Sequence, residues 1–191
     1  MSNEFDFSEA GSQRSTDLIP PGTQVDVHLT VRPGSAGPDG WMKRSKDGAS
    51  LGLDCEFTVI AGEYTKKKIW GLFTMSGTTP GHETAGKISA SKIRAMLESA
   101  RGVRPDDMSP AAIEARKISS FEDLNDLRFC VKINIQKATE EYAAKNILGD
   151  IVTPDKRTWH AITQIDRGPA TNPATRDSAP VAVPAKPAWA N

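Results

Sequence analysis

The chain has 191 residues, with 24 Lys and Arg against 24 Asp and Glu, so its formal net charge is zero. That length suits one folded module with polar ends, and the balance of charge leaves any attraction for a polyanion to local clusters. No run approaches the ~20 apolar residues that span a bilayer, the acidic N-terminus lacks the apolar stretch of a signal peptide, and two scattered cysteines argue against a disulfide framework or a zinc finger. The expectation is a cytoplasmic protein without a cofactor.

Residues 1–20 hold four acidic side chains against Arg14 alone and end at Pro20-Pro21, which reads as an extended N-terminal arm. A folded domain is expected over residues 21–166. Thr23–Arg32 alternates, with Val25, Val27, Leu29 and Val31 on one face and Gln24, Asp26, His28 and Thr30 on the other, the pattern of a half-buried strand. Residues 33–49 are rich in turn formers and carry a first aromatic-basic cluster, Trp41 with Lys43, Arg44 and Lys46. Leu51, Leu53, Cys55, Phe57 and Val59 repeat the alternation, with Asp54 and Glu56 facing away. After the turn Ala61-Gly62 comes a second cluster, Tyr64, Lys66, Lys67, Lys68 and Trp70, which opens a third extended run over residues 67–74. Solvated loop charges beside ordinary core aromatics are the alternative for both clusters, and Ile69 and Leu72 make Trp70 in particular a core candidate.

The period then changes. Ile93, Met96, Leu97 and Ala100 form the stripe of an amphipathic helix that stops at Gly102. Ser109-Pro110 supplies an N-cap and first-turn proline for a second short helix, and Ser120 with Asp123 resembles a capping box. Alternation returns at Phe129, Val131, Ile133 and Ile135, and a last extended stretch runs from about Tyr142 to Val152, interrupted by Gly149. Residues 167–191 contain five prolines and seven alanines, which bury too little apolar area to offset their ordering entropy and read as a disordered tail.

Three strands, a helical insert and two strands give a mainly β chain with helices between strands 3 and 4. That is the order of an OB-fold, a five-stranded Greek-key barrel that commonly binds oligonucleotides on one face. The expected fold is therefore an OB-fold-like five-stranded barrel.

Catalytic motifs are weak. Gly81–Lys87 has the skeleton of a phosphate-binding loop, but Ile88 stands where Ser or Thr would hold magnesium. It reads as a chance match, with Gly81 and Gly86 in the loop entering the helix. A Cys-His pair from Cys55 or Cys130 and a metal-binding pair from Asp54 and Glu56 are conceivable, and nothing in the sequence demands either.

The pattern resembles the small single-stranded DNA-binding proteins of tailed phages and prophages. The similarity rests on Phe5-Asp6-Phe7-Ser8, the entry Ile19-Pro20-Pro21-Gly22, the segment from Leu53 to Tyr64, and Lys67–Trp70. It continues through Ser91–Leu97, Phe129–Ile133, Tyr142–Leu148 and Ile151–Asp155, and so covers roughly residues 5–160. It implies a non-enzymatic protein of phage or mobile-element DNA replication and recombination, working in the host cytoplasm. Implied partners are single-stranded DNA and proteins of recombination or replication; a homo-oligomer stays open.

On this reading Lys43, Arg44, Lys46, Lys66, Lys67 and Lys68 neutralise phosphates while Trp41, Tyr64 and Trp70 stack bases. Phe73, Arg128 and Lys132 are second-rank candidates. Loss of Trp41 is expected to weaken binding with little effect on stability. The alternatives are a non-catalytic protein-interaction or virion-associated module, then a metal-dependent nuclease built on Asp54 and Glu56.

Overall fold

The computed structural model describes residues 18–164; the greater part of the expected arm and all of the expected tail lie outside them. Seven antiparallel strands form one sheet: β1 (Gln24–Arg32), β2 (Ser35–Ala36), β3 (Met42–Arg44), β4 (Ser50–Val59), β5 (Lys68–Gly77), β6 (Arg128–Gln136) and β7 (Lys145–Ile151). The insert between β5 and β6 holds α1 (Pro80–Arg101), α2 (Pro110–Glu114) and a 3-10 helix at Phe121–Leu124. The fold is thus mainly β, with the helices where the change of period puts them.

Alternation becomes burial because only one face of each strand meets the core. Val25, Val27, Leu29 and Val31 of β1 point inward with Leu53, Cys55, Phe57 and Val59 of β4 and Phe129, Val131 and Ile133 of β6. The ring of Phe57 stands at the centre, edge-on to Phe73 at 6.0 Å and to Phe129 at 6.1 Å, a favourable arrangement of aromatic quadrupoles. Ile93, Met96 and Leu97 of α1 join this cluster.

β4 is the hub. Along one edge it pairs with β3 and then β1, and along the other with β5; β1 continues to β6 and β6 to β7. β5 and β7 line a common groove but share no ladder, so the sheet is open there. The closed five-stranded barrel expected from the sequence is therefore not formed; a seven-strand open sheet takes its place.

Three local differences from expectation have clear causes. The turn-rich stretch 33–49 folds as the hairpin β2–β3, whose strands meet at Gly34, where a Cβ would lie 2.2 Å from the Met42 carbonyl oxygen. Second, α1 starts at Pro80, well before its apolar stripe. Thr79 caps it through Oγ1, which accepts the His82 amide, and Gly102 ends it at φ 68°. Gly81–Lys87 are therefore helical rather than a loop, and Gly86 lets the helix approach β5, since a Cβ there would sit 3.1 Å from the Met75 carbonyl. Third, Ile19 is buried in the core, and the Asn146 side chain accepts its amide at 2.9 Å and donates to its carbonyl at 2.8 Å. Ile19 thus packs into the core although it falls within the segment read as an arm.

After β7 the chain crosses back over β1 and β6. The Trp159 indole donates to the Ser99 carbonyl, Gln24 to the Thr158 carbonyl, and the Gln164 amide brackets the backbone of Arg128. Residues 153–164 form a strap across the sheet.

Candidate functional site

Parity along β5 sets the site. Ile69 and Phe73 face the core, so Lys68, Trp70, Leu72 and Thr74 form the outward row. Trp70 is 53 % exposed and Leu72 69 %. Across the ladder they face the outward row of β4, with Trp70 opposite Glu56 and Leu72 opposite Asp54. Beyond β4, Arg32 of β1 is opposite Asp54 and Thr30 opposite Glu56.

The two carboxylates on this face are covered by cations. Glu56 is 2.6 Å from both Lys68 Nζ and Arg32 Nη2, and Asp54 is 3.5 Å from Lys43 Nζ. The Lys68 ammonium, and after it the Arg32 guanidinium, hold the Glu56 carboxyl below its usual range, while the bond from Arg32 to Glu56 pushes the guanidinium up. Charge of both signs is present, and the surplus is positive.

Three adjoining grooves follow β5. One, of about 690 Å³, lies between the β4–β5 turn and the start of β7 and is lined by Lys66, Lys67, Lys68, Trp70 and Lys145. The second lies in the gap between β5 and β7 and runs from Trp70 to Thr74, with Lys92 and Lys145 on its walls. The third, about 410 Å³, is lined by Lys43, Arg44, Lys46, Leu72 and Thr74. Trp70 joins the first groove to the second, and Leu72 and Thr74 join the second to the third. The two basic clusters of the sequence, separate along the chain, therefore flank one strand. From Lys68 to Thr74 that strand spans about 20 Å.

The other expected residues divide. Trp41 is only 2 % exposed and belongs to the core, contrary to its expected role as an open stacking face. The β2–β3 hairpin turns it inward, with the Asp39 carboxylate accepting from the amides of Trp41 and Phe121 and from the Ser120 hydroxyl. Its Nε1 is buried with no partner among the described residues. Phe73, 7 % exposed, is likewise a core residue, because it shares the inward parity of Ile69. Tyr64 is half-buried, and Lys67 Nζ covers its ring at 5.4 Å from the centroid. The turn beneath is fixed by the Lys66 amide donating to the Val59 carbonyl, with Lys66 itself at φ 72°.

Arg128 and Lys132 are not part of the β5 row: both lie on β6, with β1 and β4 between. Arg128 is engaged elsewhere, donating to the Thr163 carbonyl of the strap. Conversely, Arg32, Leu72, Lys92 and Lys145 line or border the site without having been singled out from sequence. Leu72 was within reach, since it shares parity with Lys68 and Trp70. The other three depend on pairings between distant segments.

The other chemically suggestive groups of the sequence are paired or buried. Asp54 and Glu56 are tied to Lys43, Lys68 and Arg32 instead of standing free as a metal-binding pair. Burial, reinforced by Asp54, pushes the Cys55 thiol up to about 12. Burial also raises Cys130, to about 11, and its cross-strand neighbour Asp26 pushes it the same way, while the bond to the His160 backbone works against them. Reactive cysteines have the opposite shift. Among the described residues, no helix is long and apolar enough to cross a membrane. The chain matches no protein-family model, and no curated relative is found for it.

Proposed function

We propose that the protein binds single-stranded DNA with little sequence preference along the outward face of β5, by occupancy and not by catalysis. The observation that carries this reading is the exposed Trp70 set between Lys66, Lys67, Lys68 and Lys145 on one side and Lys43, Arg44 and Lys46 on the other. A single strand needs these two things together: an aromatic face for a base and flanking ammonium groups for its phosphates. Stacking accepts any base, which accounts for the weak preference. Strand order supports treating the sheet as an OB-fold-like barrel left open between β5 and β7: β1 lies between β4 and β6, β5 and β7 are the outer partners, and the helices separate β5 from β6. A role in phage or mobile-element replication and recombination, and hence a host-cytoplasmic setting, rests on the family resemblance.

Titration of fluorescent oligo-dT at two salt concentrations, beside duplex DNA and RNA, tests the proposal. Binding to oligo-dT that weakens as salt rises is expected, with a slope of log affinity on log salt of about −0.7 for each phosphate neutralised. Affinity for duplex equal to or above that for oligo-dT, or none for either, overturns it. Leu72 favours a second reading, a protein-docking or virion-associated module. With Trp70 it forms an exposed apolar pair, and an aliphatic side chain adds little to base stacking.

A further inference from the structure

We propose that Asp26, Cys130 and His160 form a binding site for a borderline divalent cation of the zinc type, which clasps the strap of residues 153–164 to the sheet. Cys130 occupies an outward position on β6, between the inward Phe129 and Val131, yet it is fully buried because the strap crosses it. Its register partner across the β1–β6 ladder is Asp26. The strap delivers His160 onto this pair: Nε2 lies 2.9 Å from Asp26 Oδ2, and Cys130 Sγ lies 3.7 Å from each ring nitrogen. The three donor atoms all fall within 4.8 Å of one another.

These separations suit a tetrahedral ion. Bond lengths of about 2.3 Å to sulfur and about 2.0 Å to nitrogen or oxygen put neighbouring ligand atoms some 3.3–3.5 Å apart. The observed 2.9 Å from His160 Nε2 to Asp26 and 3.7 Å from Nε2 to Cys130 lie on either side of that value, and since Sγ is equally far from both ring nitrogens, the His160 ring turns to aim Nε2 at the ion. The donor set also discriminates. Sulfur and imidazole favour zinc over magnesium or calcium, which take oxygen ligands. Three protein ligands leave a fourth position for water on the side where the His160 ring is half exposed. Binding releases the Cys130 thiol proton to solvent, and the new bonds join β1, β6 and the strap at one point. His160 is 134 residues from Asp26 and 30 from Cys130, so the ion ties together distant parts of the chain.

Cobalt(II) titrated into the reduced full-length chain is the direct probe. One equivalent should bind and give a thiolate-to-cobalt charge-transfer band that zinc abolishes. Cys130→Ser should lose the band. His160→Asn, on the exposed side of the site, should weaken binding by about tenfold or more. Zinc should also slow hydrogen exchange of backbone amides in residues 153–164 in the wild-type chain and not in His160→Asn. Absence of the band, its persistence in Cys130→Ser, or unchanged affinity in His160→Asn overturns the site; the last holds even where the cysteine variant folds poorly.

Discussion

Trp70 lies directly across the β4–β5 ladder from Glu56, and Lys68, two residues before it, closes on that carboxylate at 2.6 Å. The indole therefore stands beside a neutralised acid instead of a free negative charge. Without such partners, Asp54 and Glu56 would place bare negative charge on the face that a polyanion would cross. Arg32 and Lys43, supplied by β1 and β3, complete the cover.

Trp70→Ala is expected to weaken oligo-dT binding by about 1–3 kcal/mol, the usual value of one stacked base. Stability should change by no more than about 0.5 kcal/mol, because the ring is outside the core. Fluorescence titration and urea unfolding of the same variant separate the two effects. Unaltered affinity would remove Trp70 from the interface.

Trp41 should behave in the reverse manner. Its indole is packed beneath the β2–β3 hairpin, so truncation to Ala leaves a large cavity and should cost about 3–5 kcal/mol in urea unfolding. Affinity for oligo-dT, measured where the variant is still folded, should stay near wild type. A strong binding defect in a stable Trp41→Ala protein would contradict this placement.

The contrast between these two tryptophans shows what the sequence could convey. Both have lysines close by, and composition does not separate them. Parity helps with Trp70: once Ile69 and Phe73 face inward, residue 70 must face out. Nothing local tells that Trp41 turns inward, because its burial depends on a hairpin of two- and three-residue strands held by Asp39 against Ser120 and Phe121. Long alternating strands such as β1, β4 and β6 were legible because burying one face imposes a period of two. The first turns of α1 were not, since their residues are mostly exposed and carry no apolar stripe. The open edge between β5 and β7 and the meeting of Asp26, Cys130 and His160 depend on tertiary pairing and have no counterpart in local pattern.

Replacing Lys66, Lys67 and Lys68 by Ala should leave the fold intact and flatten the salt dependence. Each lost phosphate contact lowers the slope of log affinity on log salt by about 0.7. Lys145→Ala, on the opposite wall of the same groove, should shift the slope in the same direction. An unaltered salt slope in the triple variant would place the phosphates elsewhere.

Glu56→Gln separates stability from binding. Lys68 and then Arg32 depress the Glu56 carboxyl in the folded chain, so the folded state binds fewer protons there than the unfolded state, whose carboxyl titrates near 4.3. The stabilisation is therefore complete above that value and disappears as pH falls through the lower folded one. In urea unfolding from pH 7 to pH 3, the wild type should lose stability on the acid side, and Glu56→Gln should start lower and lose less. Oligo-dT binding at pH 7 should move oppositely: with the carboxylate gone, Lys68 and Arg32 are released to phosphates and affinity rises. A variant that bound more weakly while still folded would mean that Glu56 positions these cations for the strand instead of competing with it.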